Sequence, residues 1–342
     1  MTPACSEFAE APAWLRVLLD DSRLYRGVDD CAYVADHLAP MVYRSCVLAW
    51  LGLFLGSSLC GQEVDSVRIL WWNVENAFDT VDDPLTYDEE FTPGGTKAWT
   101  SYRFYRKVTA LAKGLRAAAE GDVPDFIGLC EVESPAVMDA LMRRLPWEWP
   151  LWQYYEEGPD ARGIDIVVLY HSERWELLSA RQIANEAVER SRSAVMTTFV
   201  RREAPLDTLV LSWWHLPSRR RSNPAYRQSS LTSFAKEGPS DFILGDMNSD
   251  PRGPLASWME ALGYVHLHQT GTWGTYAFGQ KWSHLDSVWR RSSSSWQGNY
   301  RAFSFGLSEN TTSQLSLKPT FHAGTYYGGA SDHLPLRICV HK

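Results

Sequence analysis

From Val67 onward, short apolar runs alternate with stretches of helical spacing. Val67–Trp72 is a near-continuous apolar run and reads as a buried strand. Between Thr100 and Ala119, Tyr105, Val108, Leu111 and Leu115 recur at helical intervals, which predicts an amphipathic helix. Asp125–Cys130 reads as a short buried strand. Ser134-Pro135 opens a helix, with serine as N-cap and proline in the first turn. Ile164–Tyr170, Ala194–Val200, Leu209–Trp214, Phe242–Leu244, Leu285–Trp289 and Leu334–Val340 read as further strands. Helices bearing Ala and Leu fill the gaps around 225–237 and 254–262. The segment 290–330 is rich in Ser, Gly and Thr and predicts loops and short strands. No repeat and no linker interrupts 62–342, so that span is expected to be one α/β (α+β) domain.

The first sixty residues obey another logic. Residues 1–40 carry scattered acids with no pattern joining them to the rest of the chain, and read as an unstructured or non-native extension. Met41-Val-Tyr-Arg44, the apolar run Cys46–Leu55 and the small residues Gly56, Ser57 and Ser58 have the layout of a signal peptide. The run is too short for a comfortable span, which needs about 20 apolar residues. The expectation is a start at Met41, a signal at 41–61, and a secreted or periplasmic product that keeps no stable membrane span. A buried helix is the competing reading. A lipid anchor on Cys60 is disfavoured by Leu59, where a small residue is wanted. Beyond this segment only Cys130 and Cys339 remain, without metal-type spacing, and their pairing is left open.

Charge narrows the partners. The formal net charge is -8, which argues against a protein that coats duplex DNA. A local basic strip, Arg219, Arg220 and Arg221, could still hold phosphates or be a solvated loop. The chain has 16 Trp. Trp71, Trp72, Trp213, Trp214 and Trp282 flank candidate chemical residues, so core packing and stacking on a base or sugar are both open.

Polar residues punctuate the strand ends: Asn73 in Trp71-Trp72-Asn73-Val74-Glu75-Asn76, Glu131 in Leu129-Cys130-Glu131-Val132-Glu133, and His215 in Trp213-Trp214-His215-Leu216-Pro217-Ser218-Arg219. Gly245-Asp246-Met247-Asn248-Ser249-Asp250, Asp286 in His284-Leu285-Asp286-Ser287, and Ser331-Asp332-His333 complete the set. A single carboxylate after a strand is commonly a turn or helix cap. Together these residues provide oxygen donors for a hard cation, an acid beside a histidine, and a second histidine that could stabilise a phosphate oxygen.

In identity and order these motifs resemble the endonuclease/exonuclease/phosphatase superfamily over about residues 66–341. The resemblance implies a four-layer αββα sandwich, two packed mixed β-sheets flanked by helices, with the chemistry at one mouth. It implies a Mg²⁺ (or Mn²⁺) ion on Glu131, with Asn73 and Asp332 close by. Asp246 and Asn248 would position or activate water, His333 oriented by Asp286 would contact the phosphate or act as base, and His215 would hold a phosphate oxygen. Ser218 and Arg219 would touch substrate. Glu75 near the metal and Asp165 behind His215 are weaker candidates, and a salt bridge with Arg162 is the other reading of Asp165. Trp214 departs from the small polar residue expected before His215. The implied activity is metal-assisted phosphoester hydrolysis by a monomer. A nuclease comes first, a sphingomyelinase-like phosphodiesterase or a phosphomonoesterase second. A non-catalytic binding module is disfavoured because none of the chemical residues is missing. Trp273, Tyr276 and Phe278 would make a lipid-facing hairpin; Arg219–Arg221 would line a nucleic-acid groove.

Overall fold

The computed structural model describes residues 66–147, 151–186, 189–204, 207–218, 224–271, 274–279, 281–304, 307–309 and 315–342. The expected extension, the signal segment, Arg219–Arg221 and Trp273 lie outside the described residues.

Two mixed sheets form the centre. The first has seven strands in the order β10-β14-β19-β1-β2-β4-β3. They are β1 (Val67–Ala77), β2 (Phe126–Val132), β3 (Leu151–Tyr154), β4 (Asp165–His171), β10 (His268–Thr270), β14 (Gln297–Ala302) and β19 (Leu336–His341). The second has six, in the order β5-β6-β7-β8-β13-β9. These are β5 (Trp175–Ile183), β6 (Ala194–Arg201), β7 (Thr208–His215), β8 (Phe242–Asp246), β9 (Tyr264–His266) and β13 (Asp286–Arg291). Short hairpins β11–β12 (Tyr276–Phe278, Lys281–Ser283), β15–β16 (Leu307–Glu309, Leu315–Leu317) and β17–β18 (Phe321–His322, Thr325–Tyr326) decorate the edges. Helices α1 (Ser101–Ala119), α2 (Pro135–Met142), α3 (Pro224–Ala235) and α4 (Pro254–Ala261) cover the outside.

The layering arises from the two-residue period of the strands. On β1, Val67, Ile69 and Trp71 point between the sheets, where they meet Val195, Phe199, Leu211, Trp213 and Val288 of the second sheet. Leu70, Trp72 and Val74 point the other way, onto Val108, Leu111 and Leu115 of α1. The outer face of the second sheet packs Trp214, Ile243 and Trp289 against Leu231, Phe234, Leu255 and Met259 of α3 and α4. Strands buried on both faces are apolar at nearly every position, which is why the sequence shows runs rather than alternation. Gly128 is dictated by this packing: a Cβ there would lie 2.3 Å from the Trp213 ring, which stacks on Trp71 at 6.3 Å between centroids.

The expected strands and helices are present, with ends shifted by a few residues. The additions are β3, β5 and the short pieces β9 and β10. On β5 only Trp175 and Ile183 are buried, so it carries no apolar run to announce it. Among the described residues Cys130 and Cys339 are not joined to each other, and no helix is long and apolar enough to cross a membrane.

Candidate active site

Register brings the polar strand ends to one mouth. Parallel β1 and β2 pair Asn73 with Cys130, so Asn73 and Glu131 emerge together. Parallel β7 and β8 pair His215 with Asp246. Antiparallel β13 pairs Asp286 with the same Asp246, which places the start of β13 beside the end of β8. Antiparallel β19 pairs Leu336 with Trp71, so the residues just before it, including His333, lie over the end of β1. Two of the residues at this mouth, Glu131 and Asn248, hold positive φ of 67° and 48°, uncommon for non-glycine residues and found where surrounding structure over-determines the backbone.

Asp246 sits at the centre. Its Oδ1 accepts from the Asn248 backbone N–H at 2.9 Å. Its Oδ2 accepts from Asn73 Nδ2 at 3.1 Å and Asn248 Nδ2 at 3.2 Å. His215 Nε2 and His333 Nε2 approach the same oxygen at 3.7 and 3.9 Å. Glu131 Oε1 lies 3.4 Å from Asn73 Nδ2 and 3.5 Å from His215 Nε2, while its Oε2 accepts from the Asn76 N–H at 2.9 Å. His333 Nδ1 meets Asp286 Oδ2 at 2.7 Å, and Asp286 Oδ1 accepts from Trp71 Nε1 at 3.0 Å. Thr275 Oγ1 receives the Leu285 and Asp286 N–H groups, fixing the Asp286 backbone.

The electrostatics separate the two histidines. Burial holds His215 well below the ordinary histidine range, reinforced by Arg192, Arg162 and His333. It is a neutral imidazole whose buried Nε2 has no hydrogen-bond partner. Burial also disfavours charge on His333, but Asp286, Asp246 and Asp332 outweigh it and raise the ring to about 10. Burial would raise Glu131, yet Arg162, Arg192 and His333 hold it low, so it stays a carboxylate. Asp332 is pushed up by burial and then by Glu75 and Glu131.

These carboxylates fit a divalent cation. Glu131 Oε1 and Asp246 Oδ2 share one amide donor, and Asp332 is crowded by like charge, an arrangement that a hard cation on oxygen donors relieves. Asp246, Asp286 and His333 are also spaced closely enough to hold an ion. Both Asp286 oxygens are already committed, to Trp71 and His333, so the Glu131 side suits the cation better. Asn73 turns its NH₂ toward the carboxylates and its Oδ1 toward the Glu75 N–H at 2.9 Å.

The two weaker candidates are each held by backbone N–H groups, Glu75 while still close enough to Asp332 and Glu131 to repel both. Both Glu75 oxygens accept backbone N–H groups, from Thr320 at 2.7 Å and Phe321 at 2.9 Å, so this acid anchors a loop. Asp165 Oδ2 accepts from the Gly158 N–H at 2.8 Å and Oδ1 has no hydrogen-bond partner, so it does not orient His215. Arg162 pairs instead with Asp160 and Asn76, which also removes the other reading of Asp165. Ser218 lines a pocket beside the mouth; Arg219 is outside the described residues. Trp71, Trp72, Trp213 and Trp214 are fully buried, so they pack rather than stack on a ligand.

Arg192 and Lys107 escaped the sequence reading, and Arg162 entered it only as a partner of Asp165. Arg192 reaches Glu131 Oε1 at 3.4 Å and donates to the Leu216 carbonyl at 2.7 Å. Arg162 donates to Asn76 Oδ1 at 3.0 Å. Lys107, inside α1, is buried and donates to the Glu75 carbonyl, the Ala330 carbonyl and Thr320 Oγ1. Lys107 did leave a signal, being a charge on a helix face otherwise apolar at Phe104, Val108 and Leu111. The arginines stand in polar loops that announce nothing.

Two mixed sheets thus pack as a sandwich with carboxylates and histidines gathered at one mouth. The family model described as the Endonuclease/Exonuclease/phosphatase family matches residues 68–342. The chain belongs to that family. Similar solved structures include TDP2 of D. rerio complexed with a single-strand DNA product, at 15% identity and TM-score 0.51, covering 81% of this chain and 99% of that one. The human Nocturnin catalytic domain with bound sulfate is 14% identical, with TM-score 0.53 and coverage of 82% and 94%. The mannosyl-6-phosphatase Bt3783 of Bacteroides thetaiotaomicron is 12% identical, with TM-score 0.54 and coverage of 81% and 100%. No curated protein matches the sequence. At such identities these structures share the fold alone.

Proposed function

We propose that the protein is a divalent-cation-dependent phosphoester hydrolase, acting first on phosphodiesters of nucleic acid, by in-line attack of water. One observation carries this reading: Asp246 lies within reach of Asn248, Asn73, His215 and His333 at once, with Glu131 beside it. Mg²⁺ (or Mn²⁺) held by Glu131, with Asp332 near, would neutralise charge on phosphate oxygens.

The chain's own groups do the rest. Asn248 fixes Asp246 through two hydrogen bonds, so its carboxylate is aimed before substrate arrives. Neutral His215 offers an unengaged Nε2 to an equatorial phosphate oxygen. His333, kept charged by Asp286, donates to another, where charge accumulates in the transition state. A protonated His333 cannot take the proton of the attacking water, which leaves that role to Asp246.

The test is hydrolysis of plasmid DNA, RNA, sphingomyelin and a phosphomonoester, each with Mg²⁺, with Mn²⁺ and with chelator. Cation-dependent cleavage of nucleic acid is expected. No cation-dependent hydrolysis of any of the four would overturn the reading. The sphingomyelin arm addresses a second reading, a phospholipid phosphodiesterase, favoured by Phe278. That ring is 44% exposed on the β11–β12 hairpin, whose Tyr276 lies 4.9 Å from the His333 ring. Secretion through the 41–61 segment is part of the proposal, and N-terminal sequencing of the native protein tests it. A product retaining residues before Met41 would contradict it.

A further inference from the structure

Beside the mouth is a cavity of ≈ 320 Å³ whose lining includes Arg162, Arg190, Arg192, Ser218 and Tyr226. It abuts the chemistry directly, because Arg192 contacts Glu131 Oε1 at 3.4 Å and Arg162 contacts Asn76, whose N–H holds the other Glu131 oxygen. Each of these two guanidinium groups is held through two of its nitrogens, Arg192 on the Leu216 carbonyl and Glu131, and Arg162 on Asn76 and Asp160. A planar fork fixed in this way loses little side-chain freedom when its other N–H groups take a phosphate. The outer part of the cavity is aromatic and cationic. Tyr226 is 49% exposed. Arg190 stands 4.9 Å from the centroid of Tyr87, a ring that is itself 61% exposed. Three arginines face two lining acids, Asp160 and Glu189, and Asp160 is already paired with Arg162 at 3.5 Å. Cationic donors interleaved with exposed aromatic faces are what a single-stranded nucleic acid requires: the donors track its backbone and the rings stack its bases.

We propose that this cavity is a nucleotide subsite. It takes the nucleotide flanking the scissile phosphodiester of a single-stranded chain, with its phosphate on Arg162 and Arg192 and its base on Tyr226. The proposal rests on the phosphodiesterase reading above and narrows it to oligonucleotide substrates.

The experiment compares two substrates at saturating Mg²⁺: a single-stranded tetranucleotide, and bis(p-nitrophenyl) phosphate, which has no flanking nucleotide. Tyr226→Ala should lower kcat/KM on the tetranucleotide about 5- to 150-fold, the range for one lost base–aromatic stack, mainly through KM. The loss on the small diester should be several-fold smaller, and Tyr226→Phe should restore the tetranucleotide rate. Arg162→Gln should flatten the salt dependence of tetranucleotide KM by about 0.7 in log–log slope, one phosphate contact on a single strand. Tyr226 is exposed, so its variants keep the fold even if Arg162→Gln does not. Equal losses on both substrates would overturn the subsite. If the wild type cleaves neither diester, the hydrolase reading fails separately. Binding of a labelled tetranucleotide to the full chain then decides: binding weakened by Tyr226→Ala supports the subsite, and no binding by wild type overturns it.

Discussion

Asn in place of Asp286 keeps the shape of the site floor and removes one charge, and hydrogen-bond polarity sets the consequence. Asp286 is fully buried and serves two donors, Trp71 Nε1 at 3.0 Å and His333 Nδ1 at 2.7 Å. An indole N–H only donates, so the single amide oxygen of the variant is drawn to Trp71. The amide NH₂ then faces His333 Nδ1, which can accept only as a neutral ring. The variant thus forfeits both the Asp286 charge and the charged hydrogen bond, worth roughly 1.5–3 kcal/mol, or about one to two decades in the imidazolium-to-imidazole ratio. Burial, which already opposes the charge, is left facing Asp246 and Asp332, each 3.9 Å from Nε2. Loss of a preorganised charge-stabilising donor costs on the order of 10²–10³-fold in rate. Steady-state kinetics near pH 10 should therefore show kcat and kcat/KM falling together, by up to about one to two decades, with KM nearly constant. The wild type should lose activity as pH rises toward 10, where His333 gives up its proton, and the variant's limb should lie about one to two pH units lower. A variant within threefold of wild type, or one sharing the alkaline limb, would refute the reasoning.

Lys107→Met should destabilise the domain by about 3 kcal/mol or more, since it strips the donor from three buried acceptors. Burial lowers Lys107 to about 8, against the pull of Glu75 and Asp332. The unfolded chain, titrating near 10.5, binds the extra proton across that window, so wild-type stability should gain a rising contribution from pH 8 to 10.5 that the variant lacks. Denaturant unfolding at pH 7 and pH 10 checks both statements; a variant as stable as wild type would contradict them. Gly128→Ala should cost about 1–3 kcal/mol by overpacking, because its Cβ would fall 2.3 Å from Trp213. An unchanged unfolding midpoint would show that the sheets can part there.

The layers of the fold were legible because strands buried on both faces must be apolar throughout, as at Leu70, Trp71 and Trp72. The polar residues ending those runs marked the mouth, and strand register does place Asn73, Glu131, His215, Asp246 and Asp286 at one edge. What escaped is what no local pattern encodes. Glu75 and Asp165 have the right spacing from Asn73 and Arg162, but a strand's pleat and a positive φ at Glu75 turn its carboxylate onto Thr320 and Phe321. Arg192 approaches Glu131 across 61 residues of chain. Such a contact depends on how the loop carrying Arg192 ends over the sandwich, and that loop has no periodicity to read.

The central claim is that Glu131 holds a catalytic cation while His333 acts on the phosphate alone. The most direct measurement is the rate of bis(p-nitrophenyl) phosphate hydrolysis as Mg²⁺ and Mn²⁺ are titrated, for wild type, Glu131→Gln and His333→Ala. Glutamine keeps one oxygen but loses the charge a hard cation favours. The half-saturating cation concentration should be displaced upward in Glu131→Gln, with activity partly restored at high cation. In His333→Ala the midpoint should be unchanged and the plateau lowered roughly 10²–10³-fold. Rescue of His333→Ala by cation, with no rescue of Glu131→Gln, would contradict the claim.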